Sequence, residues 1–167
     1  MISQPLQPLV TPSAAYHRGM HFDLIDRVLE RTDDRIVTLK LVSLSEEYLQ
    51  DHFPTFPILP GVFMLEVCVQ AARELLRRRH PEAAHPLVLG QVRALKYGAM
   101  VRPGEALIVE VDLKKAAEDG TFDMRGSGVV VPQAALNAEK ASDQPSTAAA
   151  GATAVSGRFT MRPARID

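Results

Sequence analysis

One cysteine in 167 residues excludes an intramolecular disulfide framework. Cys68 lies within an apolar run, where a free thiol behaves as a small hydrophobe, and the cytoplasm is the compartment expected. No apolar stretch approaches the roughly 20 residues that span a bilayer. The start, Met1 to Pro8, lacks both a basic region and a continuous apolar core, so it is not expected to be a secretory signal. Neither sign of charge is in excess. Lysine and arginine total 19 against 20 acidic residues, a formal net charge of -1, which gives no global attraction to nucleic acid or an anionic membrane. Any partner must therefore be recognised locally. Also missing are internal repeats, a Gly-x-Ser-x-Gly elbow, a P-loop, a Gly-x-Gly-x-x-Gly turn and a paired-cysteine motif.

The length suits one domain with its own core. Residues 1–12 carry three prolines and few large apolar groups, so they read as a flexible arm preceding a single domain over 13–167. Phe22 to Glu30 and Arg35 to Val42 read as two strands of a hairpin across the turn-forming Arg31-Thr32-Asp33-Asp34. Asp23 to Glu30 fits a helix as well. Ser45 to Gln50 suits a short helix capped by Ser43 or Ser45. Pro60 stands where proline favours a helix start, and Gly61 to Arg79 reads as a long helix that His80-Pro81 ends. Leu87 to Tyr97, Ala106 to Leu113, Thr121 to Val131 and Ala154 to Met161 read as strands, with turns at Arg102-Pro103-Gly104 and Glu118-Asp119-Gly120. Between Pro132 and Thr153 the composition collapses to small and polar residues, which predicts a long mobile insertion within a hairpin. Strand follows strand around one long helix, which predicts an α+β fold with an antiparallel sheet.

The chemistry concentrates between His52 and Glu66. A proline-stiffened loop, His52-Phe53-Pro54-Thr55-Phe56-Pro57-Ile58-Leu59-Pro60, runs into the helix, whose first turn offers free backbone N–H groups. A group able to take a proton near neutral pH, an anion site and a carboxyl thus lie within 15 residues. In Gly61 to Ala72, ten of twelve residues are apolar or small, so the helix is expected to be buried on most sides. Glu66, Gln70, Arg73 and Arg77 share one face. Periodicity alone is equally consistent with a solvated stripe there. Val62, one turn earlier on that face, makes it apolar at the end nearest His52, so Glu66 is expected in apolar surroundings that suit a proton donor.

The bland reading of His52 is a loop imidazole that hydrogen-bonds locally. His17 and His21 have a spacing that could bind a metal on a helix, but no acidic or cysteine cluster joins them, and no metal site is assigned. His80 and His85 each precede a proline and receive no role.

The run His52-Phe53-Pro54, Pro57, Pro60-Gly61-Val62, Glu66 and Gln70 resembles the active-site segment of the 3-hydroxyacyl-[acyl carrier protein] dehydratases of the FabA/FabZ class. Asp26 to Glu30 resembles the family's first strand, and Val101-Arg102-Pro103-Gly104-Glu105 its later Pro-Gly-acid turn. The likeness runs from about Phe22 to Leu113, with Phe122 to Gly126 and Gly157 to Met161 compatible with its last strands. Thr55 departs from the family's common glycine, and Gly98-Ala99 from its usual basic residues.

This resemblance implies the hotdog fold, a curved antiparallel sheet wrapped around one long helix. It implies removal of water from a (3R)-3-hydroxyacyl thioester to give a trans-2-enoyl thioester, in fatty-acid or related lipid or polyketide synthesis. The substrate would be carried on acyl carrier protein or coenzyme A, with no metal or organic cofactor. Within it, His52 is the base and the N–H groups of Gly61 and Val62 hold the enolate oxygen. Glu66 assists the leaving hydroxyl, oriented by Gln70, and Phe63 lines an acyl tunnel. Glutamate at 66 favours the FabZ-type branch, which dehydrates without isomerising the double bond. Two chains pair in a homodimer, so that His52 of one meets Glu66 of the other. A hotdog thioesterase and a non-catalytic acyl- or carrier-binding subunit are the alternatives.

Overall fold

A computed structural model of the chain describes residues 22–79, 86–132, 135 and 151–164. Six strands and one long helix follow in the order β1 (Arg27–Arg31), β2 (Arg35–Leu41), α1 (Gly61–Arg79), β3 (Leu87–Tyr97), β4 (Glu105–Ala116), β5 (Phe122–Pro132) and β6 (Ala152–Pro163). The strands form one sheet in the order β1-β2-β4-β5-β6-β3, every neighbouring pair antiparallel. α1 packs against β2 to β6. This is the hotdog arrangement that the resemblance implies.

The sheet packs one face on the helix because that face is apolar at every second position. On β5, Phe122, Met124, Gly126 and Gly128 are buried while Asp123 and Arg125 are exposed. Opposite them α1 buries Val67, Cys68, Val69, Ala71, Ala72, Leu75 and Leu76, with no solvated stripe of the usual width. Helix and sheet approach closely at Gly126, where a Cβ would lie 3.1 Å from the Cys68 sulfur and 3.2 Å from the Phe159 ring. Burial in that apolar layer pushes the Cys68 thiol up to about 12, so it remains a protonated packing group.

The helix has the bounds its sequence predicts. β1 is shorter than expected, starting at Arg27 instead of Phe22, because the backbone of Phe22 and Leu24 bonds to a helix side chain, as described below. Asp23 to Glu30 is not helical. The serine cap does not form either. The expected helix is a single 3-10 turn, Glu47–Leu49, with Glu46 in the cap position and no side-chain cap, while Ser43 and Ser45 bond each other at 2.8 Å. Both predicted turns close, with Gly104 and Gly120 at φ of 86° and 79°, values that glycine adopts without a steric penalty. β6 begins at Ala152, so Ala152 and Thr153 belong to a strand, and its pairing with β5 places the insertion within a hairpin. The expected arm at 1–12, the helix stop at His80-Pro81 and most of the 132–153 insertion lie outside the described residues.

Candidate active site

The loop between the 3-10 turn and α1 sets His52. Leu59, buried, anchors the loop by donating its N–H to the Val101 carbonyl at 2.8 Å. A tight turn closes from the Phe56 N–H to the Phe53 carbonyl at 2.8 Å, with Phe53 itself at a φ of 56°. That left-handed conformation is uncommon for a bulky residue and is held in place by its surroundings. The Phe53 ring lies 4.4 Å from the imidazole of His52.

The His52 Nδ1 lies 3.0 Å from the Ile58 carbonyl oxygen. A carbonyl can only accept, so Nδ1 carries the hydrogen in this bond and the neutral ring keeps its lone pair on Nε2. The local hydrogen bond of the bland reading is thus present, and it leaves the Nε2 lone pair able to accept a proton.

Two residues past Leu59 the helix begins. The Phe63 and Met64 N–H groups both donate to the Pro60 carbonyl, at 2.9 and 3.2 Å. The N–H groups of Gly61 and Val62 have no backbone acceptor among the described residues. They lie at the positive end of the helix dipole and suit an oxyanion. The Tyr97 ring passes over Gly61, 3.2 Å from where a Cβ would stand, and Val62 is 67% exposed.

The helix face beyond them is not solvated. Gln70 is 5% exposed and uses both ends of its amide. Its oxygen accepts the Leu24 N–H at 2.9 Å, and its Nε2 donates to the Phe22 carbonyl at 3.1 Å and to Glu66 Oε1 at 3.3 Å. The expected apolar setting of Glu66 does not hold either. Arg73 reaches back two turns to donate from Nη1 to the same Oε1 at 3.1 Å, while its Nε donates to the Leu87 carbonyl at 2.9 Å. Two donors therefore fix Oε1, and Oε2 makes no hydrogen bond among the described residues. Phe63 packs in an aromatic group with Tyr48 and Phe22, at 4.6 and 5.4 Å between ring centres.

Replacing Gln70 by alanine leaves the buried Leu24 N–H without its Gln70 acceptor, removes one bond to the Phe22 carbonyl and loosens Glu66. The expected loss of stability is about 2–4 kcal/mol, read by urea denaturation, because buried backbone groups lose partners that water cannot replace.

Within one chain no hydrogen bond or ion pair joins His52 to Glu66 among the described residues. The imidazole and the carboxyl are each held by their own contacts, and no described contact within the chain joins them to each other. Sequence reasoning misses the Ile58 carbonyl, which as a backbone group leaves no residue signal. It also misses the clamp from Arg73, although the spacing places both residues on one face. His17 and His21 fall outside the described residues.

One antiparallel sheet packed around a single long helix defines a hotdog protein. The ApeI-like family, described as ApeI dehydratase, matches residues 29–134, and the chain belongs to that dehydratase family, a hydro-lyase group. It is 38% identical to the 3-hydroxyacyl-[acyl-carrier-protein] dehydratase FabZ of Petrotoga mobilis, over 71% of this chain and 84% of that one. It is 42% identical to the FabZ of Thermotoga neapolitana, over 63% of this chain and 74% of that one. Among solved structures it is similar to the dehydratase heterocomplex ApeI:P from Xenorhabdus doucetiae, with a TM-score of 0.61 and 18% identity, covering 86% of this chain and 84% of that one. A Streptococcus pneumoniae hypothetical thioesterase (Asp52Ala mutant) follows at a TM-score of 0.53 and 15% identity, covering 86% and 98% of the two chains. At those identities the structural likenesses speak for the fold alone.

Proposed function

We propose that this chain dehydrates a (3R)-3-hydroxyacyl thioester, carried on acyl carrier protein or coenzyme A, to the trans-2-enoyl thioester. The observation that carries the reading is the His52 ring, its Nδ1 held by the Ile58 carbonyl and its Nε2 left as the base, one loop away from unpaired N–H groups at Gly61 and Val62. The barrier lies in removing a weakly acidic α-proton, and these groups divide that task. Nε2 takes the proton while the two N–H groups hold the charge that develops on the thioester oxygen. The thioester already acidifies that proton, so the scheme uses no metal or organic cofactor.

Glu66 supplies the second half. Its Oε1 is occupied by Gln70 and Arg73, which leaves Oε2 to hydrogen-bond the β-hydroxyl, and that hydroxyl takes from the His52 imidazolium the proton with which it departs as water. The carboxyl comes from a second copy of the chain. In support, Phe53, Phe56, Val62, Tyr97 and Met100 are large apolar side chains exposed in the single chain, on or next to the segments that frame His52 and Gly61. Several large apolar side chains exposed around one loop and helix start suit an interaction site. Phe63 stands beside the carboxyl's helix face and would line the acyl chain's path. No helix among the described residues is long and apolar enough to cross a membrane.

The test is to incubate the wild type with a 3-hydroxyacyl thioester and follow both enoyl absorbance and free thiol. Enoyl thioester should accumulate with no thiol release. Thiol release without enoyl product would make the chain a thioesterase.

A further inference from the structure

Among the described residues Lys40 is the one charged residue buried as deeply as the core, at 3% exposure, and the proposed chemistry makes no use of it. The alternation of β2 puts it on the same face as Thr38 and the core residue Ile36. An unpaired charge there would be costly. Two carboxylates pair it, from one segment that precedes β1 and one that follows β2. Glu46 Oε1 accepts from the Lys40 Nζ at 2.7 Å, and Asp26 Oδ1 stands at 3.6 Å.

The two segments have different fixings. Asp26 ends the stretch from Phe22, which is tied to β2 by the Asp26 N–H on the Leu39 carbonyl at 2.9 Å and by Asp26 Oδ2, which accepts the Leu41 N–H at 2.6 Å. Gln70 of α1 pins the same stretch to the helix through Leu24 and Phe22. Glu46 occupies the cap position of the 3-10 turn Glu47–Leu49, and its carbonyl accepts the Leu49 N–H at 3.0 Å. His52 follows that turn directly, and Tyr48 within the turn lays its ring on Phe63 of α1. Lys40 therefore stands between a stretch already fixed to the helix and the turn that leads to the imidazole.

We infer that Lys40 is a positioning residue for His52: its buried ammonium ties the turn ahead of the imidazole to β2 and, through Asp26, to the stretch that Gln70 pins to α1. Its kinetic consequence rests on the dehydratase reading. Burial of Leu49 holds the turn down, but apolar contact is non-directional. A charge-assisted hydrogen bond has a direction, and it fixes how the turn is rotated over the strand. Downstream the loop is anchored by Leu59 on Val101, and upstream Glu46 is its charged anchor. The imidazole needs both, because Nδ1 must reach the Ile58 carbonyl for Nε2 to keep its lone pair. A misplacement of about 1 Å can cost on the order of a hundredfold in rate. The plain alternative is an ion pair that only stabilises, whose loss lowers the melting temperature and leaves the rate of the folded protein alone.

The experiment compares the wild type with Lys40→Met, which keeps most of the stem and drops the charge, and with Glu46→Ala, which opens the tie at a partly exposed side chain and so carries less risk to the fold. Both are assayed on a 3-hydroxyacyl thioester well below their melting temperatures. In each, kcat should fall about tenfold or more with KM within about threefold of wild type. In the His52→Ala background Glu46→Ala should cost less than about twofold further, because a tie that acts through His52 has nothing left to place. A second readout is independent of turnover. NMR of nitrogen-labelled histidines, with the His52 signals identified by their loss in His52→Gln, should show the neutral wild-type ring protonated at Nδ1 and bare at Nε2, and a mixture of both tautomers in the two variants. A kcat within about twofold of wild type in either folded variant, a full further loss in the His52→Ala background, or an unchanged His52 tautomer overturns the positioning role. A tautomer that shifts in the variants, when the wild type itself yields no enoyl thioester, keeps the positioning role and sinks the dehydratase reading instead.

Discussion

His52→Ala lowers kcat/KM for dehydration by about 10²–10⁴-fold, the range that a positioned general base supplies. The loss should fall mainly on kcat, since the imidazole acts on the α-proton in the transition state and adds little to ground-state binding. The fold should survive the change. His52 is half-buried, and its polar contact is the bond from Nδ1 to the Ile58 carbonyl, while the loop is anchored independently by buried Leu59 and its bond to Val101. A melting temperature within a few degrees of wild type is therefore expected alongside the kinetic loss. His52→Gln makes the comparison sharper. A glutamine can still donate toward a carbonyl but has no lone pair of imidazole basicity, so it should keep the loop and lose the rate. A rate for either variant within twofold of wild type would remove His52 from the chemistry.

The elements that position this histidine are readable from sequence to different depths. The bounds of α1 are legible because Pro60 and Gly61 fix its start and an apolar run fills it. The strands are legible because buried and exposed residues alternate, as at Met124 and Arg125. The start of β1 is not, since what stops Phe22 and Leu24 from pairing in a sheet is the amide of Gln70, 48 and 46 residues away. The setting of Glu66 is hidden by side-chain reach within its own helix. Counting apolar neighbours along the helix places it in a greasy patch, yet Arg73 has a stem long enough to bring a guanidinium back two turns. Local pattern points to the candidate residues, and the contacts that hold them appear only in the folded chain. The serine cap fails for a related reason. Ser43 and Ser45 satisfy each other and the Ser45 N–H, an Asx-like local competition that leaves a single 3-10 turn.

Glu66→Gln should be the second large loss, about 10²–10³-fold in kcat, because the amide fills the same space but sets an NH₂ group where the carboxylate Oε2 would accept from the β-hydroxyl. Its stability should stay near wild type, since the Oε1 position still accepts from Gln70 and Arg73. The informative experiment combines the two defects. If each site takes His52 from one protomer and Glu66 from its partner, a heterodimer of a His52→Ala chain with a Glu66→Gln chain contains one site with both residues intact and one with neither. Unfolding and refolding an equimolar mixture produces such heterodimers as about half of the dimers, so activity should recover to about a quarter of wild type from two nearly inactive proteins. A site built within one chain predicts no recovery, because every chain in the mixture lacks one of the two groups. The recovered activity should also scale with the square of total protein below the dimer dissociation constant, as an association-dependent site requires. That outcome would turn the separation of His52 and Glu66 in the single chain from a gap in the site into its assembly rule.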